Sequence, residues 1–181
     1  LAVPLKEKDC VFGHFMSGLT FNLHQSGKLI ELEKKWGIKP TQYLADKHGK
    51  FTHKAGTVER AKQDSFTHLA LDELDGALWW AAKNSFALPE DLRSDKAAAA
   101  CEYDYKRGLG HLEARLGDNR FATGDEFTVP DLIIAHCMGW GINVMKWIPP
   151  KGPLRDYLAR VRERPAFQTA WAKREAAPNM F

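Results

Sequence analysis

The chain has 181 residues and a formal net charge of +3, so it can form one large hydrophobic core or two small domains. The charge is too small to indicate nucleic-acid binding, and no basic run or nucleic-acid motif is present. No apolar run reaches the ~18 residues of a membrane span, and no signal peptide is visible. We therefore predict a soluble protein with neither a nucleic-acid nor a membrane partner.

Cysteine and histidine patterns exclude two further classes. Cys10, Cys101 and Cys137 form no CxxC pair, and an odd, sparse set of cysteines suits a reducing compartment better than a disulfide framework. The histidines share no metal-ligand spacing with cysteine or aspartate. The sequence therefore predicts a cytoplasmic protein without a metal site.

The first 50 residues show a mixed α/β pattern. The stretch CVFGHF is typical of a buried strand, and it runs into a tight loop that contains Ser17. Farther on, LIELEKKWG suits either a strand or a helix, and TQYLADKH suits a short helix.

From residue 57 onward the pattern is helical. Thr57 is a plausible N-cap, and the residues after it repeat apolar positions at i, i+3, i+4 and i+7. A second helix is predicted from about residue 94 to Leu116, with Gly117 as its terminator. The apolar stripe of the first helix comprises Phe66, Leu69, Ala70, Leu74, Ala77, Leu78 and Ala81.

The most informative local signal is EFTVPDLIIAHCMGW. Thr128 can cap a helix there, and Asp131, three residues later, can reach back to the Thr128 amide as an acidic capping box. Phe127 and Leu132 are spaced for a hydrophobic staple. The helix that follows has almost no polar face, so we predict a central, buried helix with His136 as a satisfied buried histidine.

Two more helices complete this part of the chain. LRDYLARVRE is amphipathic, and a break at Arg164 and Pro165 separates it from a short helix that contains Phe167 and Trp171. Residues 57–181 are therefore predicted to form an all-α domain of about five helices.

Two ordered motifs in this domain resemble the C-terminal domain of soluble glutathione S-transferases. The first is G-x-x-F-T-x-x-D, and the second is Y-x-x-R-x-x-x-R-P. The matching positions are Gly124, Phe127, Thr128, Asp131, Tyr157, Arg160, Arg164 and Pro165. Residues 43–51, YLADKHGKF, are similar to the last helix of that family's N-terminal domain and its exit into the linker.

The resemblance implies a mainly α fold, in which the all-α bundle of residues 57–181 follows a shortened thioredoxin-like α/β segment at residues 1–52. VFGHFMS looks like the first strand and loop of serine-type members, which implies that Ser17 activates glutathione and that Phe15 and Gly18 help to bind it. The chemistry is sound, because a hydroxyl donor and a helix N-terminus both stabilise a thiolate.

The N-terminal part departs from the family pattern. A complete thioredoxin-like domain needs roughly 75 to 80 residues, and about 50 precede the helical domain here. The shortfall falls near residues 21–29, and no proline stands between Gly18 and Lys39 where the family has a cis-proline. Trp36 and Gly37 stand where the family has a Glu-Ser pair.

The first functional hypothesis is a detoxifying glutathione transferase that uses glutathione as co-substrate. It would conjugate glutathione to small hydrophobic electrophiles in a pocket walled by Phe66, Trp79 and Trp140, and it would act as a homodimer. The alternative is a non-catalytic binding or assembly module with the same helical domain. A thiol reductase is disfavoured, because Cys10 stands seven residues before Ser17 rather than in the loop.

Overall fold

A computed structural model describes residues 41–147 and 152–176. The predicted thioredoxin-like strand and the loop with Ser17 lie outside these residues. Within them every secondary-structure element of three or more residues is a helix, and an isolated β-bridge joins Phe121 to Gly124. The prediction of a mainly α fold is confirmed for this part of the chain.

The described helices follow the predicted order. The α-helices are α1 (Thr41–His48), α2 (Val58–Leu69), α3 (Gly76–Ala82), α4 (Asp95–Leu116), α5 (Val129–Asn143), α6 (Pro153–Arg162) and α7 (Pro165–Ala176). The first π segment is Ala70–Asp75, the second π segment is Lys83–Ala87, and a 3-10 turn is Glu90–Leu92. In the described ranges, none of these helices is long and apolar enough to cross a membrane.

Residues 58–87 form one continuous helical rod, made of α2, the first π segment, α3 and the second π segment. Thr57 caps it as predicted, because its Oγ1 accepts a hydrogen bond from the Arg60 amide at 3.2 Å. The π segments were not predicted. In the second one the Leu88 amide donates to the Lys83 carbonyl at 3.0 Å, an i to i+5 bond.

The first π segment changes which residues face the core. The predicted stripe is buried at Phe66, Leu74 and Leu78, but Ala77 is only half-buried. Ala82, which lies outside the stripe, is 0% exposed. A π turn adds a residue to the helical turn, so the buried face moves around the rod after the first π segment.

Helix α4 packs antiparallel to the rod, and a glycine lets the two approach closely. A methyl group at Gly108 would lie 3.0 Å from the Glu73 carbonyl oxygen and 3.1 Å from Leu74 Cδ2. Helix α4 then ends at Gly117, which has φ +52°, as the terminator prediction requires.

The start of α5 is organised by one buried carboxylate. Asp131 is 0% exposed, and its Oδ2 accepts from the Thr128 amide at 2.7 Å and from Thr128 Oγ1 at 3.1 Å. Its Oδ1 accepts from the Ala122 amide at 2.8 Å and from the Tyr157 hydroxyl at 2.8 Å. The predicted reach of Asp131 back to Thr128 is therefore confirmed, and the same carboxylate also fixes the preceding loop and α6.

We expect Asp131→Asn to lower the free energy of unfolding by about 3 kcal/mol, because an amide nitrogen would face donors that need an acceptor. Urea denaturation followed by circular dichroism measures the loss. Asp125→Asn is the matched control, because Asp125 is an exposed acid on the same loop. An unchanged urea midpoint in Asp131→Asn would contradict the assignment.

Gly108 and Gly110 form a matched pair on α4. A methyl group at Gly110 would meet nothing within 4 Å, so Gly110→Ala should raise the free energy of unfolding by about 0.5–1 kcal/mol through helix propensity. Gly108→Ala should lower it by about 1–3 kcal/mol, because the rod cannot move away without cost. Equal thermal midpoints for the two variants would show that the close approach is unimportant.

Candidate functional site

The structure separates the predicted site residues into two groups. Phe15, Ser17 and Gly18, predicted to bind and activate glutathione, lie outside the described residues. Phe66 is 1% exposed in the core, where the Arg115 guanidinium lies 4.5 Å from its ring centroid. Its ring packs in the hydrophobic core, and Phe66 is not among the residues that line the groove and the depression described below.

Trp79 and Trp140 do come together. Trp79 lies on α3 and Trp140 on α5, and their ring centroids are 6.2 Å apart with planes tilted by 56°. Trp79 is 47% exposed and Trp140 is half-buried, so the pair forms a surface and not a core contact. His136 is exposed beside Trp140, with ring centroids 6.4 Å apart, so the prediction of a buried histidine was wrong.

Lys83 is the residue of this surface that sequence reasoning missed. Its Nζ lies 4.7 Å from the Trp80 ring centroid and 5.7 Å from that of Trp79. The spacing could have predicted it, because Lys83 follows Trp80 by three positions and Trp79 by four, and residues so spaced on a helix are neighbours. We call the surface formed by Trp79, Trp80, Lys83, His136 and Trp140 the indole cluster.

A second surface is an apolar groove of about 460 Å³ between α1 and helices α5, α6 and α7. Phe127 and Leu132 both line it, and Leu132 is 49% exposed there. The groove is lined by Leu44, Ala45, His48, Lys50, Phe51, Phe127, Val129, Leu132, Val161, Arg164, Ala166, Phe167 and Ala170.

Aromatic stacking and one strained residue shape the groove. The Arg164 guanidinium lies 3.8 Å from the Phe127 ring centroid, and Phe127 meets Phe51 edge to face at 5.9 Å. Phe51 has φ +61°, and its carbonyl accepts from the Val129 amide at 3.0 Å. An aromatic residue with a left-handed backbone conformation is uncommon and strained. The hydrogen bond to Val129 and the ring contacts hold the turn at Phe51 against the start of α5.

A third surface is a polar depression of about 560 Å³ on the outside of the rod and α4. Two of its lining residues are engaged by other side chains: Glu73 contacts His111, and the Arg115 guanidinium donates to the Ser65 hydroxyl. Across residues 41–147 and 152–176, no three His, Cys, Asp or Glu side chains are grouped to hold a metal ion.

Buried titratable groups in the core do not supply a nucleophile. Burial, followed by the nearby Asp131 charge, raises the pKa of Tyr157 well above its usual range. Burial also raises the pKa of the Tyr105 hydroxyl, and it raises that of the Cys137 thiol to about 12. These groups stay protonated at neutral pH, so they serve packing and hydrogen bonding.

Comparison with known proteins shows the fold. No family model matches the chain. A glutathione transferase from Methylococcus capsulatus is similar in structure, with 25% identity, a TM-score of 0.64, and coverage of 75% of this chain and 65% of that one. The bacterial transferase BphK matches with 24% identity and a TM-score of 0.64, covering 74% and 64% of the two chains.

A third similar structure is the glutathione transferase URE2P6 of Phanerochaete chrysosporium, solved in complex with oxidised glutathione. It has 23% identity and a TM-score of 0.62, and the match covers 74% of this chain and 63% of that one. The chain thus spans less than two thirds of the length of these structures. Over about three quarters of its own length, the chain has the fold of glutathione transferases.

Proposed function

We propose that the protein is a glutathione transferase that joins the glutathione thiol to small hydrophobic electrophiles. The observation that carries this proposal is the shared fold with several solved glutathione transferases. Its support from the sequence is Ser17, which stands where a serine-type transferase has its activating hydroxyl. Glutathione is then the co-substrate, held in part by Phe15 and Gly18.

The proposed step is a nucleophilic displacement. The glutathione thiol loses its proton to solvent, and the Ser17 hydroxyl donates a hydrogen bond to the thiolate that remains. The sulfur attacks the electrophilic carbon, a carbon–sulfur bond forms, and the leaving group departs with its bonding electrons. Ser17 contributes by lowering the thiol pKa, since it stabilises only the charged form.

The indole cluster is the proposed acceptor side of the site. Trp79 and Trp140 offer apolar ring surface that is still open to solvent, and such surface binds an aromatic or aliphatic electrophile by burying it. Phe66 is buried in the core and is not part of this surface.

We also infer a cytoplasmic homodimer. Several large apolar side chains are exposed on the rod and α4, including Val58 at 81% and Tyr103 at 67%. A second copy of the chain covering them would remove this surface from water.

We expect Ser17→Ala to lower kcat/KM for glutathione and an aromatic halide by about 10- to 100-fold, which is the effect of removing one hydrogen bond to a charged group. The assay follows thioether formation by absorbance. Ser26→Ala, a serine nearby in the chain, is the control and should keep full activity.

The pH profile separates a thiolate role from a structural one. Ser17→Ala should shift the rise of kcat/KM to higher pH, because the thiol pKa would return toward its free value. A folded chain that neither binds to immobilised glutathione nor conjugates it would overturn the proposed function.

A further inference from the structure

We propose that the indole cluster binds anionic aromatic compounds and that Lys83 selects them by charge. The inference rests on the proposed function only in taking this surface as the acceptor side, since binding to it needs no glutathione. Its basis is the ammonium group of the half-buried Lys83, which lies over two indole rings and makes no ion pair with a carboxylate of the described residues.

The helix itself fixes the position of Lys83. A helical side chain leans toward the N-terminus over the residues at i−3 and i−4, and for Lys83 these are Trp80 and Trp79. Both indoles attract a cation to their faces, and Nζ lies 4.7 Å and 5.7 Å from their centroids. The ammonium is therefore placed before any ligand arrives, which lowers the entropy cost of pairing with one.

The charge of Lys83 is not neutralised within the described part of the chain. The neighbours at i+3 and i+4 are Phe86 and Ala87, so none of its four helical neighbours is an acid. No carboxylate in residues 41–147 or 152–176 makes an ion pair with it, whereas Lys106 on α4 pairs with Glu102. A cation–π contact leaves the N–H donors that face solvent free to bind an oxyanion.

The exposed indole rings around Lys83 indicate the apolar part of the ligand. Trp79 is 47% exposed and Trp80 is 57% exposed, and Trp140 extends the surface across to α5. Flat aromatic rings bind such indoles by offset or edge contacts. A compound with an aromatic ring and a carboxylate on its edge satisfies both demands, since its ring covers the indoles while its oxygens reach Nζ.

The second π segment gives an independent reason to expect function here. Lys83 is its first residue, and its carbonyl accepts the i+5 bond from Leu88. Single π turns inside α-helices occur frequently at functional sites. The Asn84 side chain holds this turn, donating to the Trp80 carbonyl at 3.0 Å and accepting from the Ser94 amide at 3.1 Å.

The test compares two ligands of one shape, naphthalene carboxylate and naphthalene carboxamide, by calorimetry on the full chain without glutathione. We expect the carboxylate to bind about three- to tenfold more tightly at low salt, and the preference to shrink as salt is added. Lys83→Met should abolish the preference while keeping the binding of the amide, and Lys83→Arg should retain it.

Lys96→Met is the matched control, because Lys96 is an exposed lysine on α4 and its loss should leave the preference intact. Circular dichroism verifies that each variant is folded. Equal affinity of the wild-type chain for the two ligands, or a preference that survives in Lys83→Met, would overturn the proposal. Loss of glutathione conjugation would not, so failure of this inference is separable from failure of the proposed function.

Discussion

The Asp131 carboxylate is the constraint on which the described fold depends. A charge with 0% exposure must be satisfied by donors, and four of them converge on its two oxygens. They come from the Thr128 cap, from the Ala122 loop and from Tyr157 on α6. Because these four donors belong to three segments, one side chain fixes the start of α5, the path of the loop before it and the position of the helix after it.

Helix α5, whose start is fixed in this way, contributes to two surfaces. Its first amide is bonded to Phe51, so the N-terminal end sets the turn that borders the apolar groove. Toward its C-terminal end, Gly141 lets the Tyr105 ring pack directly against the backbone, where a methyl group would lie 2.3 Å from the hydroxyl oxygen. Trp140, which precedes Gly141, lies beside Trp79, so the proposed acceptor surface rests on two helices and not on a loop.

The order of the helices, the Thr57 and Thr128 caps, and the Gly117 terminator were all predictable, because capping chemistry is local and leaves its residues adjacent in the sequence. The contacts of Asp131 with Ala122 and Tyr157 were not, since nothing local pairs residues from separate segments. Phe66 and Trp79 show a related limit. Phe66 lies on the predicted apolar stripe and Trp79 lies outside it, so periodicity separates the buried ring from the exposed one, but nothing local predicts that Trp79 meets Trp140 of α5.

The two π segments account for the differences between pattern and structure along the rod. A stripe with a period of 3.6 assumes one hydrogen-bond register throughout, and each π turn moves every later residue around the rod. The burial of Ala82 and Asn84 follows from the first shift. Residues 79, 80 and 83 share one turn of the rod, so wherever the shift carries them they stay together. Local spacing alone therefore places Lys83 over the two indole rings. The register shift of the first π segment affects only the direction in which these three residues face, which is toward solvent and α5.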